Sequence, residues 1–198
     1  ACEGGTITAQ NIGNTARLTT LIVRTDNLVQ TGETFATGPV TVIGCGNTAS
    51  LCGVYDMGDN EFIADGDVTL TCDTTIITAG RLIQFTGTVD GDYNLTLSTG
   101  GSSVLFGGVV GGGTRIGNLL IEDTSSVTAV SSIQAASIEG VIGGESSFAA
   151  LDTSGADGIS LTGGPFTLNG AVTTTGSRSE EHTSELQSPC NLVCRLLL

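Results

Sequence analysis

Short runs in which apolar and small polar residues alternate recur along almost the whole chain. Thr6-Ile7-Thr8 is the first, followed by 18–23, 40–43, 68–71, 75–78, 82–86, 95–98 and 104–106. Further runs cover 119–121, 127–130, 159–162, 166–169 and 172–175. Alternation sends successive side chains to opposite faces, so each run predicts a strand with one buried side. Gly, Asn, Asp and Ser stand between the runs and supply turns that tolerate positive φ. Residues 131–139 come nearest to a helical period, and they read equally well as two short strands. The pattern predicts an all-β chain.

The runs also repeat at long range. Residues 7–13, then Arg17, then 18–23 match residues 105–111, then Arg115, then 116–121, all at one offset of 98 positions. Repetition of short strands predicts stacked units that share a core only by piling up. With about 20 residues per coil, that offset spans about five coils. Residues 7–23 and 105–121 are then expected at equivalent positions, with Leu21, Val23, Leu119 and Ile121 pointing inward. The rival is an antiparallel sandwich, which requires regular hairpins and larger core residues. Abundant Gly, Ala, Ser and Thr suit a narrow solenoid interior better.

Charge narrows the function classes. Six basic residues, all arginine, face 20 acidic ones, for a net charge of −14. Binding to a phosphate backbone or an anionic membrane surface requires clustered Lys and Arg, so neither is expected. Strong negative charge fits a secreted or surface protein kept apart from its copies by self-repulsion. No run of about 18 apolar residues predicts a membrane-spanning helix. Among the six cysteines, Cys45 and Cys52 bracket a short loop that closes as a disulfide in an oxidising compartment, or remains as free thiols. Zinc is disfavoured, because His182 is the only histidine and no Cys-x-x-Cys pair occurs.

A resemblance sets the architecture. Val68-Thr69-Leu70-Thr71-Cys72-Asp73-Thr74-Thr75, then Thr88-Val89-Asp90-Gly91-Asp92-Tyr93-Asn94-Leu95-Thr96, then Phe106-Gly107-Gly108-Val109-Val110-Gly111 form one series. This series resembles the long repeats of giant bacterial surface proteins of the filamentous-haemagglutinin-like and autotransporter-like adhesin class. The resemblance covers most of residues 63–120 and, more weakly, 7–23. It implies a β-helical shaft and carries no catalytic motif. Residues 45–62 depart from it and read as an inserted loop.

The acidic residues are the candidate chemistry. Asp56, Asp59, Asp65 and Asp67 fall close together with Asn60 and Glu61 among them, a composition that a calcium loop could use. The spacing matches neither an EF-hand nor a Gly-rich nonapeptide, and a solvated acidic loop is the plainer reading. Asp65/Asp67 and Asp90/Asp92 are spaced two apart, as paired carboxylates of a glycoside-cleaving enzyme could be. Both pairs sit in Asp-Gly-Asp, ordinary turn chemistry, with no base, nucleophile or oxyanion donor beside them. Thr6-Ile7-Thr8, Thr69-Leu70-Thr71 and Thr173-Thr174-Thr175 suggest an ice-binding ladder, but their spacing is irregular.

The last residues differ in kind. Residues 178–188 resemble the in-frame translation of a sequencing-library adapter, and 192–198 resemble its next constant segment, with 189–191 on the variable index between them. Residues 178–198 are accordingly expected to form a short helix or a disordered tail, outside a β-helix of residues 1–177. With no Met at Ala1, the chain reads as a fragment of a longer protein. The expectation is therefore a single-stranded right-handed parallel β-helix, a β-solenoid, without enzymatic activity and without a cofactor unless calcium binds. It would serve as the shaft of an extracellular, outer-membrane-associated adhesin whose partner is a ligand, glycan among the candidates, on a host or neighbouring cell. A carbohydrate-active β-helix and an ice-binding solenoid are the alternatives.

Overall fold

The structure, a computed structural model, describes residues 6–9, 11–13, 15–16, 18–19, 21–25, 27–30, 33–35, 40–175 and 178–182. These residues form strands and turns with no helix. In chain order the strands are β1 (Thr6–Ala9), β2 (Leu21–Thr25), β3 (Asn27–Gln30), β4 (Glu33–Phe35), β5 (Val40–Asp56), β6 (Phe62–Ile77), β7 (Ile83–Phe85) and β8 (Val89–Asp90). They continue with β9 (Leu95–Phe106), β10 (Ile116–Ile142), β11 (Ser146–Thr153), β12 (Ile159–Gly163), β13 (Phe166–Leu168), β14 (Val172–Thr174) and β15 (Arg178–His182). All the pairings between these strands are parallel, as the solenoid expectation requires and an antiparallel sandwich forbids. The chain is a parallel β-solenoid.

Register defines three faces. On the first, Leu21, Val40, Phe62, Ile83, Val104 and Val127 pair in succession, so one coil takes 19 to 23 residues. On the second, Ala49, Val68, Val89, Val110, Ile133, Leu151 and Val172 follow one another. On the third, Gly53, Thr74, Leu95 and Leu119 do so, with coils of 21 to 24 residues. The uneven coil length comes from bulges at the corners, such as the register shifts at 43/48 and 51/53 of β5 and at 122/124 of β10.

Inward positions stack into one continuous core. On the first face Ala64, Phe85, Phe106, Ala129 and Phe148 occupy one column. Phe85 and Phe106 lie parallel at 5.5 Å, and Phe62 leans onto Phe85 at 6.1 Å above the space left by small Ala64. Tyr55 meets Phe62 edge-on at 5.5 Å. Small residues interspersed among the large ones let rungs about 4.8 Å apart accept aromatic rings. Where the chain turns from the third face to the first, Thr78, Thr99 and Thr124 are buried. Their hydroxyls donate to the carbonyls of Arg81 (2.6 Å), Ser102 (2.9 Å) and Glu122 (3.0 Å). This gives the buried threonine hydroxyls their hydrogen-bond partners.

Four expectations are corrected. Leu119 and Ile121 are fully buried, Val23 is buried and Leu21 packs against the core, as predicted. The 98-residue repeat, however, is not structural. Leu21 lies on the first face, which returns at Val104, whereas Leu119 lies on the third. The offset is not a whole number of coils, because corner bulges change coil length. Second, residues 45–56 are not an inserted loop. They belong to β5, in which 48–51 and 53–56 pair with β6, and a turn follows over 57–61. Third, residues 178–182 continue the coil as β15, paired in register on β12 from Ile159–Arg178 to Gly163–His182. Unpaired groups along a strand edge accept any extended chain of suitable length, whatever its origin. Residues 183–198, the rest of the expected tail, lie outside the described residues. Fourth, Cys52 is bonded to Cys72 and not to Cys45.

Candidate functional site

The polar residues that stand out in the sequence gather at the corners, where the chain passes from one face to the next. Asp56 and Asp59 belong to the corner between the third and first faces. Asp65 and Asp67 belong to the next corner along the chain, between the first and second faces. Each has its own partner. Asp56 Oδ1 accepts from the Gly58 amide at 3.0 Å. Asp59 accepts from Arg81 Nε at 2.9 Å. Asp65 accepts from the Thr86 hydroxyl at 3.1 Å, and Asp67 from the Thr88 amide at 2.8 Å. The four carboxylates are therefore not brought together. Among the described residues no three acidic, Cys or His side chains converge as metal ligands.

The Asp-Gly-Asp segments are likewise turns. Gly66 and Gly91 have φ of +98° and +121°, a conformation that breaks the alternation placing both carboxylates on one side. Asp90 Oδ1 accepts from the Gly113 and Thr114 amides at 2.7 and 3.0 Å, while Asp92 is exposed.

What the corners do is stitch coil to coil. Between the second and third faces, Asp73 accepts from the Asn94 amide at 3.0 Å and from Asn94 Nδ2 at 3.2 Å. Asn94 Oδ1 then accepts from the Asn118 amide at 2.8 Å, and Asn118 Oδ1 from the Ser137 hydroxyl at 2.9 Å. The first join at this corner is covalent. Cys52 is bonded to Cys72, with Cα atoms 4.8 Å apart. The expected Cys45–Cys52 bridge is thus corrected. Both residues lie on β5, an extended strand, whereas the residue across the ladder from Cys52 is one coil later in the chain. Cys2 lies outside the described residues.

Sequence reasoning missed Cys72 as the partner. A signal was present, because the separation of 20 residues is about one coil. Arg115 was seen only as a repeat marker, yet it reaches two further coils through Ala135 and Asp152. No local signal predicts that reach.

Two shallow grooves mark the surface. One, of about 410 Å³, runs along the third-to-first corner beside Gly101, Asp123, Thr124, Ser125 and Gly143. The other, of about 230 Å³, is lined by Asp59, Asn60, Glu61 and Arg81. The Arg81 guanidinium in it is held above its usual pKa, first by its hydrogen bond to Asp59 and then by that carboxylate's charge. Tyr55 is the one buried side chain, among those described, whose polar atom lacks a hydrogen bond. Burial pushes its hydroxyl up to about 12, although the nearby Cys52 backbone tempers the shift. Among the described residues, the outward column of the third face runs Val54, Thr75, Thr96, Leu120, which is not a continuous threonine row.

No family model, curated protein or solved structure matches the chain.

Proposed function

We propose that this chain is a structural shaft segment of a large secreted bacterial surface protein, adhesin-like in role. The carrying observation is the uninterrupted parallel stack, whose core columns and corner bonds run from coil to coil. Such a stack is a spacer: its length grows with coil number, while its corners and outward faces vary without disturbing the core. The likeness of residues 63–120 to filamentous-haemagglutinin-like repeats supports the same reading. The acidic surface, with Arg81 and Arg115 both ion-paired, fits a protein that stays dispersed outside the cell. In this reading the shaft is extracellular and outer-membrane-associated. Its partner is a ligand, glycan among the candidates, on a host or neighbouring cell, and no catalytic step or cofactor is assigned to it.

The test displays the chain on a non-adherent bacterium. Retention on host-cell or glycan-coated surfaces is measured, and the purified chain is incubated with acidic polysaccharides and assayed for new reducing or unsaturated ends. Retention without new ends is the expected result. New ends without retention would replace the shaft with the carbohydrate-active alternative.

A further inference from the structure

The Cys52–Cys72 bond occupies the second of the two places where the ladder between β5 and β6 loses its step, just after Leu51. Leu51 pairs with Leu70 and Gly53 with Thr74. One residue, Cys52, therefore faces three, Thr71 to Asp73, and Cys72 is the middle one. A bulge leaves its extra residues without regular ladder bonds. At the same corner one coil later the join is made by Asp73 and Asn94, and after that by Asn94 and Asn118. At the bulge itself, the side-chain hydrogen bond that crosses the coils is the 3.3 Å contact from the Thr71 hydroxyl to the Leu51 carbonyl. The disulfide supplies there what hydrogen bonds supply further along.

We propose that Cys52–Cys72 is a reducible clamp that fastens the β5 coil to the β6 coil. Opening it frees the β5 end of the stack while the coils from β9 onward stay folded. Locality follows from solenoid physics, because each coil packs chiefly against its neighbours, so a bond between two coils stabilises chiefly those two. The bond closes a loop of one coil in the unfolded chain, with a sequence separation of 20. A loop of that size restricts the unfolded state enough to shift a local opening equilibrium about 100-fold. Access is asymmetric: Cys52 is buried, whereas Cys72 is only half-buried. A small dithiol would therefore attack Cys72 Sγ as its thiolate. The Cys52 thiolate leaves and takes up a proton. The reagent's second thiolate then attacks the mixed disulfide and closes the reagent's own ring. Cys72 is released as a thiol, and two electrons have passed from the dithiol to the protein. The clamp does not depend on the surface-shaft reading.

The test uses the full chain. Amide hydrogen exchange is followed by mass spectrometry in three samples: oxidised, reduced with dithiothreitol, and the double variant Cys52→Ala/Cys72→Ala without reductant. Before exchange, non-reducing peptide mapping establishes the bond. Exchange within 40–56 is expected to quicken about 100-fold in the reduced and the variant protein alike, with 116–153 unchanged. Three outcomes overturn the proposal: free Cys52 and Cys72 thiols in the oxidised sample, equal exchange in 40–56 whatever the bond's state, or equal loss of protection along the whole chain. The reduced wild type keeps both side chains, so it separates loss of the bond from any packing defect in the variant.

Discussion

Arg115 is fastened to Asp152, 37 residues away in sequence, across an intervening coil. Its Nη1 donates to the Asp152 carbonyl at 2.8 Å and to the Ala135 carbonyl of the coil between at 3.1 Å, while Nη2 meets the Asp152 carboxylate at 2.5 Å. A planar guanidinium reaches the three oxygens from two nitrogens held in a fixed fork, whereas an ammonium would have to reach all of them from one nitrogen.

Arg115→Ala is expected to lower stability by about 1 kcal/mol. Hydrogen bonds to a charged group contribute more than that when buried, but these side chains are 32% and 37% exposed and water screens them. Arg115→Lys should recover less than half of the loss. Urea midpoints of the three proteins check this, and equal midpoints would show that the clamp contributes nothing.

Tyr55→Phe is expected to stabilise the fold by about 1 kcal/mol at neutral pH, because it removes a buried hydroxyl that has no hydrogen bond. The same group predicts an alkaline effect. Its folded pKa, about 12, lies above the ordinary 10.0. Between those values the folded state binds more protons than the unfolded one, so stability falls as pH rises. The contribution is fully present below pH 10 and is lost through about pH 12. Denaturation midpoints from pH 9 to 12 should fall more steeply for the wild type than for Tyr55→Phe; parallel curves would refute the assignment.

Phe106→Ala is expected to cost about 3 to 5 kcal/mol, since the ring is fully buried and stacked on Phe85. The column also predicts the opposite error. Ala129 sits between Phe106 and Phe148 in register, so Ala129→Phe should overpack the core and cost about 1 to 3 kcal/mol. Calorimetric melting of both variants tests the placing of large and small residues along the column.

Asn94→Asp keeps an acceptor for the Asn118 amide but puts a carboxylate where Asn94 Nδ2 now donates to Asp73. The variant should lose about 1 kcal/mol at low salt and regain part of it as salt screens the two charges. Asn94→Ala should show a similar loss with no salt recovery. Melting temperatures in low and high salt separate the two.

A chelator should leave Tm unchanged, since Asp56, Asp59, Asp65 and Asp67 are engaged by Gly58, Arg81, Thr86 and Thr88 and do not converge. A fall in Tm on chelation, restored by calcium, would reinstate a metal site.

Alternating runs such as 68–71 and 95–98 were legible as strands because an inward residue must recur every second position, and Val68, Leu70, Leu95 and Leu97 are all buried. The solenoid was legible in the small residues and the recurrence of short alternating runs, but not in the 98-residue offset, which joins positions on different faces. The Asp-Gly-Asp corners were legible as turns. The carboxylates' partners were not, because each lies across the ladder: Thr86 for Asp65 and Thr88 for Asp67 are both 21 residues on.

By itself, the sequence determined which side chains face the core and that the strands must stack to bury them, since both follow from the two-residue period of an extended chain. Only the tertiary structure decided coil length, and with it every equivalence between coils. That is why Leu21 and Leu119 fall on different faces, and why Cys52 bonds Cys72 rather than Cys45. The physical reason is that register is set at the corners. There a bulge adds or removes residues without disturbing the alternation on either side, so the local pattern carries no record of it.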